Sequence, residues 1–295
     1  MSASHIALLP DRGVVSVSGE DACTFLDNLV TNDLGELDRH RAIHAGLLTP
    51  QGKILFEFFI VRHADGLLLD TALGSVPDLL KRLTLYRLRA KVALDDLSSS
   101  RVVAAAWGGP PPDEPLAAIF PDPRAPGLGH RLILPQETAG KLAANDEGRE
   151  AYDRLRIALG VPEPGRDYAP GDTFPHEANF DRFAGVSFTK GCFVGQEVVA
   201  RMQHKTVVRK RIVRVTGASS LPEGVVITIP ATGAEIGRIG SVDGDRALAM
   251  LRLDRALEAR IKGQQLVAAG VAIEVDPDTL GAYEAAAKAR ALSGP

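Results

Sequence analysis

Only two cysteines occur in the 295 residues, Cys23 and Cys192. Two thiols so far apart exclude a disulfide scaffold and predict that both are reduced. Iron–sulfur clusters are ordinarily held by four thiolates, so a cluster owned permanently by this chain alone is excluded as well. No stretch reaches the roughly 18 to 20 continuous apolar residues of a membrane-spanning helix. The start, MSASHIALLPDRG, lacks the basic opening, apolar centre and small-residue cleavage site of a secretory leader. A cytoplasmic protein with no membrane partner is the resulting expectation. The formal net charge of -3 supplies no overall field to draw in nucleic acid. No metal site is expected: CxxC and HExxH are missing, and no tight histidine pair stands beside a cysteine. GxSxG, GxxxxGKS and GxGxxG are missing too, which removes the usual handles for hydrolase, nucleotide and dinucleotide chemistry.

What is present reads as mixed α/β structure followed by short strands. Val14 to Val17 alternate as a strand, and Ala22, Phe25, Leu26 and Leu29 then recur at helical spacing, with Cys23 expected in the packing face of that helix. LLTPQGKILFEFFIV turns at Pro50 to Gly52 into an apolar strand, and HADG turns again into Leu67 to Leu69. Ser75 is placed to cap a helix with Pro77 in its first turn and Val76, Leu79, Leu80, Leu83 and Tyr86 as its buried stripe. Strands are predicted at Arg101 to Trp107 and Arg131 to Leu134, separated by a Pro- and Gly-rich loop. Glu147 to Leu159 reads as a helix stopped by Gly160, and the polar stretch from Pro162 to Phe183 as an ordered excursion or a lid. From residue 210 the short runs RKRIVRV, GVVITI, IGRIGSV, RALAML and QLVAAGVAIEV suggest a small β barrel, with a helix or a fraying tail from Leu280.

Chemistry concentrates in VSFTKGCFVGQE, residues 186–197. GVSF is β-prone and GQEVVARMQHK helical, with Val198, Val199 and Met202 inward, so strand, loop, helix is predicted. In an extended segment residues two apart project to one side, which brings the Lys190 ammonium toward the Cys192 sulfur. A cation and a helix N-terminus both favour thiolate over thiol. A reactive or ligating cysteine and a merely buried loop cysteine both remain open on local chemistry. The run RMQHKTVVRKRIVR, residues 201–214, reads either as a solvated helix end and edge strand or as a cradle for a polyanion such as a polyglutamate tail.

RIALGVPEPGRDYAPGDTFPHEANFDRFAGVSFTKGCFVGQEVVARMQHKTVVRKR strongly resembles the signature region of the YgfZ family of folate-binding proteins, whose mitochondrial relatives serve in iron–sulfur cluster maturation. VSGEDACTFLDNLVTNDL and LLTPQGKILFEF are similar to that family as well. The resemblance implies an α+β aminomethyltransferase fold: two mixed α/β domains and a small C-terminal β barrel around a central folate channel. Residues 1–45 and 150–209 would then be the two halves of a folate-binding domain, 46–149 a second α/β domain, and 210–295 the barrel with its tail. The motif residues fall on Lys190, Gly191, Cys192, Gly195, Gln196 and Glu197, with Phe193 where the family has tyrosine. Aminomethyltransferases carry an acidic pair where this chain has Phe56 and Glu57, and a pterin-binding glutamate where it has Ala158. Folate contacts are therefore expected partly from Asn32, Asp33, Glu177, Asn179 and Arg201.

The resemblance implies a monomeric accessory protein for assembling or repairing iron–sulfur clusters. Tetrahydrofolate or a derivative would be its cofactor, Cys192 its reactive or ligating group, Lys190 the support of Cys192, and iron–sulfur client or assembly proteins its partners. Two other readings stand beside it: a tetrahydrofolate-dependent one-carbon enzyme, and a noncatalytic folate sensor whose KGCFVGQE loop is a docking surface.

Overall fold

A computed structural model describes residues 4–64, 66–114, 117–143, 146–205 and 207–292. The chain divides into two compact units, Met1–Tyr152 with Phe180–Gln196, and Asp153–Asn179 with Glu197–Pro295.

In the first unit the elements run β1 (His5–Leu8), β2 (Arg12–Ser18), α1 (Ala22–Asp27), β3 (Ala42–Leu48), β4 (Ile54–His63), β5 (Gly66–Ala72), α2 (Val76–Arg87), β6 (Ala93–Asp96), β7 (Arg101–Trp107), β8 (Ala118–Pro121), β9 (His130–Pro135), α3 (Ala139–Ala143) and, as far as Tyr152, α4 (Gly148–Ala158). Asp65, in the HADG turn, lies outside the described residues. One sheet is ordered β3-β4-β5-β2-β6 and another β1-β7-β9-β8. The five-stranded sheet draws strands from both sides of residue 45.

Strand alternation gives that sheet two different buried faces. Ile43, Ala45, Leu47, Phe58, Ile60, Leu67 and Leu69 face one way and pack with Ala22, Phe25 and Leu26 of α1 and Val76, Leu79 and Leu83 of α2. The helix α2 forms as its spacing predicts, but the Ser75 hydroxyl donates backward to the Ala72 carbonyl at 2.7 Å, and no side chain caps α2. Cys23 is exposed, which corrects its expected burial: α1 buries Ala22, Phe25 and Leu26, and position 23 turns away from that stripe.

The opposite face carries His44, Phe59 and Asp70 in register across β3, β4 and β5. A carboxylate at full burial is tolerated only when paired. Asp70 accepts from Arg12 Nε at 2.6 Å and from Arg131 Nη1 at 2.7 Å. Arg131 also donates to Asp122 at 3.0 Å and to the Tyr152 hydroxyl at 2.9 Å, while Arg124 donates to Asp122 at 2.8 Å and to Tyr152 at 2.8 Å. The Arg131 and Arg124 guanidinium carbons lie 4.2 and 4.8 Å from the Phe59 ring centre, where the ring's negative face adds to their stabilisation. The network is apolar strand pattern interrupted by charge, and each charge has its partner within reach.

The second unit contains α5 (Gln196–Lys205) beyond its first residue, then β10 (Lys210–Thr216), β11 (Val226–Ile229), β12 (Ala234–Asp243), β13 (Arg246–Arg252), α6 (Leu253–Ile261), β14 (Leu266–Ala268), β15 (Val271–Val275) and α7 (Pro277–Leu292). The strands close into a barrel in the order β10-β13-β12-β11-β14-β15, filled by inward residues such as Val213, Val215, Ile227, Ile239, Ala249 and Leu251. The polar stretch after Gly160 is an ordered excursion because it answers a buried charge. Arg156, fully buried, donates to Asp153 at 2.6 Å, Asp167 at 2.9 Å and the Ser241 hydroxyl at 2.6 Å. Thr206 and residues 293–295, within the basic run and the tail, lie outside the described residues.

Candidate functional site

The KGCFVGQE segment is an irregular loop, with no strand at GVSF and α5 starting at Gln196. Just before it, Ser187 N–H donates to the Thr31 carbonyl at 2.9 Å and the Gly185 carbonyl accepts from the Thr31 hydroxyl at 2.6 Å. Because residues 188–190 bend, the two-apart projection rule does not hold there.

The hydrogen bonds of the Lys190 ammonium lie at the end of α1. It donates to the carbonyls of Asp27 at 2.6 Å, Asn32 at 2.8 Å and Val30 at 3.1 Å, and to the Asp27 carboxylate at 3.1 Å. The side chain is 2% exposed. A cation at a helix C-terminus satisfies carbonyls that have no partner within the helix. Burial holds the Lys190 pKa below its ordinary value, opposed by the hydrogen bond and charge of Asp27.

The rest of the loop alternates anchors with display. Phe193 is buried, its ring centre 5.8 Å from Lys190 Nζ, and Val194 packs on the apolar core. Gly195 holds φ +81°, and a Cβ there would stand 2.6 Å from the Thr49 carbonyl oxygen, so the loop seats on the TPQG turn only with glycine. Gly191 and Cys192 are exposed between these fixed points. The arrangement presents one thiol on a pinned loop.

A cleft of about 280 Å³ opens in the same unit, with Ala42, Ile43, Pro121, Pro123 and Val186 as apolar wall and Glu36, His40 and Arg41 at the polar side. Its floor includes Asn32 and His44. Asn32 is committed to structure: its amide donates to the carbonyls of His44 at 2.8 Å and Ala184 at 2.7 Å, and its oxygen accepts from Asp33 N–H at 2.9 Å. Asp33 accepts from Gly35 N–H at 2.8 Å and so caps the turn after it.

His44 is 2% exposed, with Nδ1 at 2.9 Å from the Phe183 carbonyl and Nε2 at 3.0 Å from the Glu57 carboxyl. A carbonyl only accepts, so Nδ1 carries a proton and His44 and Glu57 share another between them. The Arg124 guanidinium lies 3.8 Å from the Glu57 carboxyl. Gly185 permits this approach, since a Cβ there would meet the His44 ring at 2.8 Å. Neither His44 nor Arg124 is among the residues picked from the motif. The signal lay in AIHAGLL and ILFEFFI, where a titratable group interrupts an apolar strand and so must find a partner.

The remaining sequence candidates lie in or beside the second unit. Glu177 accepts from Phe174 N–H at 2.9 Å; Asn179, at φ +63°, donates to the Ile212 carbonyl at 2.9 Å and accepts from Arg211 at 3.0 Å. Glu197 sits in the first turn of α5, where a carboxylate suits the helix dipole, and Gln196 begins that helix. Arg201 is exposed on α5, while Arg214 binds Asp276 and the Ala158 carbonyl. The basic run is thus partly consumed internally.

The architecture is an aminomethyltransferase-like fold with a closed C-terminal barrel. The solved glycine cleavage system aminomethyltransferase T of Bartonella henselae superposes with a TM-score of 0.74 at 20% identity, over 93% of this chain and 85% of that one. Residues 209–281 match the family model described as CAF17, C-terminal beta-barrel domain. The mitochondrial iron-sulfur cluster assembly factor IBA57 of Mus musculus is 32% identical over 88% of this chain and 82% of its own length. The Homo sapiens IBA57 is 33% identical over 82% and 76%. The IBA57 homolog of Mycosarcoma maydis is 39% identical over 72% of this chain, which spans only 57% of that relative's length. The chain belongs to the IBA57 family of iron–sulfur cluster assembly factors. The expected cytoplasmic location does not stand against these relatives, whose names place them in mitochondria.

Proposed function

We propose that this chain acts in the assembly or repair of iron–sulfur clusters as an accessory protein, with the Cys192 thiolate as its point of contact with the cluster being handled. The observation that carries this reading is the pinned loop. Lys190, Phe193, Val194 and Gly195 are all held by the body of the unit, and Gly191 and Cys192 alone between them face outward. A thiol whose surroundings are fixed while its sulfur is accessible suits a ligand that must be gained and lost. Four thiolates are usual for a cluster, so one from this chain needs others from a partner. Iron–sulfur client or assembly proteins are the partners proposed. The relatives, named as iron-sulfur cluster assembly factors, support this reading.

The accompanying ligand proposed is tetrahydrofolate or a derivative. A flat ring system suits the walls formed by Ile43, Pro121, Pro123 and Val186, and Arg41 at the rim suits a carboxylate. The ligand would supply a one-carbon carrier; the chain's own residues would bind and orient it. Isothermal titration of the full chain with tetrahydrofolate and with folinic acid tests this. Saturable heat is expected, weakened by Arg41→Ala. No heat at millimolar ligand would remove folate from the account and leave the Cys192 reading standing.

A further inference from the structure

The outer face of α2 leaves both apolar surface and charge unsatisfied. On α2, positions 81 and 85 fall on one side, and Leu88 follows directly after the last turn. Leu85 is 63% exposed and Leu88 is 88% exposed, although α2 has already buried Val76, Leu79 and Leu83. Lys81, Arg82 and Arg89 flank these leucines in sequence and have no ion-pair partner among the described residues. Residues 73–92 hold five basic side chains and one acidic, in a chain whose net charge is -3.

Leu88 adds a third observation. It ends α2 at φ +45° and ψ -105°, in a region that a leucine adopts only at a cost. Nothing in the fold recovers that cost, because the side chain reaches solvent rather than core. Glycine would serve the turn better, and a small polar residue would serve the surface better.

We propose that this face is a docking surface for an acidic segment of a partner protein that offers apolar side chains to Leu85 and Leu88 and carboxylates to Lys81, Arg82 and Arg89. Charge complementarity selects the acidic partner. A bilayer fits less well: interfacial helices bury a whole apolar face, and that face of α2 is spent on the core, leaving two leucines for lipid.

The test uses the full chain and a fluorescein-labelled synthetic helical peptide of glutamates with leucine at every third or fourth position. Its lysine-for-glutamate counterpart and vesicles of phosphatidylglycerol in phosphatidylcholine are the comparisons. Anisotropy should report saturable binding of the acidic peptide alone. The double variant Leu85→Ser with Leu88→Gly should weaken it about 10-fold or more. Lys81→Glu with Arg82→Glu should weaken it similarly and flatten its salt dependence. Leu88→Gly alone should raise Tm, which separates a binding loss from misfolding. Equal binding of the lysine peptide, or variants that bind like wild type, would overturn the proposal. So would retention on vesicles without peptide binding, which would assign the face to membrane. A wild-type dimer in sedimentation that Leu88→Gly dissolves would assign it to a second copy of this chain.

Discussion

Lys190 donates to the Asp27 carbonyl at 2.6 Å across 163 positions of sequence, and this bond decides what the motif lysine does. It closes the exposed end of α1 and ties the Cys192 loop to it. Lys190→Ala leaves the carbonyls of Asp27, Val30 and Asn32 without their donor, a loss of about 1–3 kcal/mol in denaturant unfolding. Amides of residues 188–194 should exchange faster while those of β4 keep their protection. Lys190→Arg should not restore stability, because a planar fork cannot occupy a site shaped for a compact ammonium. A variant of unchanged stability whose Cys192 alkylates more slowly would instead return the lysine to an electrostatic role.

Gly195→Ala should act on the same loop from its other end. The added methyl meets the Thr49 carbonyl and demands a left-handed backbone from alanine. The expected cost is about 1–3 kcal/mol, with the loop displaced and Cys192 still present. Gly191→Ala, where a Cβ meets nothing within 4 Å, should be nearly neutral and serves as its control. Equal stability of the two variants would refute the seating described for this loop.

Asp122 should contribute to stability toward acid. Burial by itself raises its pKa, but Arg124 and Arg131 more than offset this and hold the carboxyl well below its ordinary 3.8. A carboxyl with a depressed folded pKa contributes stability that is fully present above about pH 4 and lost as pH falls below it. Asp122→Asn should lower stability near neutrality by about 3–5 kcal/mol, since it leaves two arginines short of a partner. Its stability should also decline less between about pH 4 and pH 2 than that of wild type. Parallel pH curves for the two proteins would show that the acid transition lies elsewhere.

Both cysteines should react with iodoacetamide in the native protein, since both are exposed. Cys23 has the Arg62 guanidinium 3.8 Å from its sulfur, and that cation in turn binds Asp38 at 2.6 Å. Peptide mass spectrometry after brief labelling distinguishes them. A Cys23 that labels only after unfolding would contradict its placement on the outer side of α1.

Much of the fold was legible because periodicity is a local property. The β7 strand appears at Arg101–Trp107 as predicted, the α4 helix within one residue of its expected bounds, and the barrel begins with β10 at Lys210. Cys23 was misplaced because a six-residue helix buries only a narrow stripe, and position 23 lies just outside it. The hydrogen-bond partners of Lys190 were not legible, because they lie about 160 residues away and no local spacing encodes them. The His44–Glu57 pair belongs to the same class, visible only as charge in an apolar strand until the neighbouring strand is in register. The sequence left Cys192 open between a reactive and a buried loop cysteine, and its exposure is decided by the anchoring of its neighbours Phe193 and Val194 in the fold.

The central claim is that Cys192, and not the loop that carries it, is what iron–sulfur assembly requires of this chain. Cells lacking their own factor of this family should be complemented with wild type, Cys192→Ala and Cys23→Ala, each verified for level and Tm, and the activity of their iron–sulfur enzymes measured. The account predicts recovery with wild type and Cys23→Ala, and none with a folded Cys192→Ala. Full recovery with Cys192→Ala would contradict it, and would leave the loop as a surface for docking rather than a ligand for the cluster.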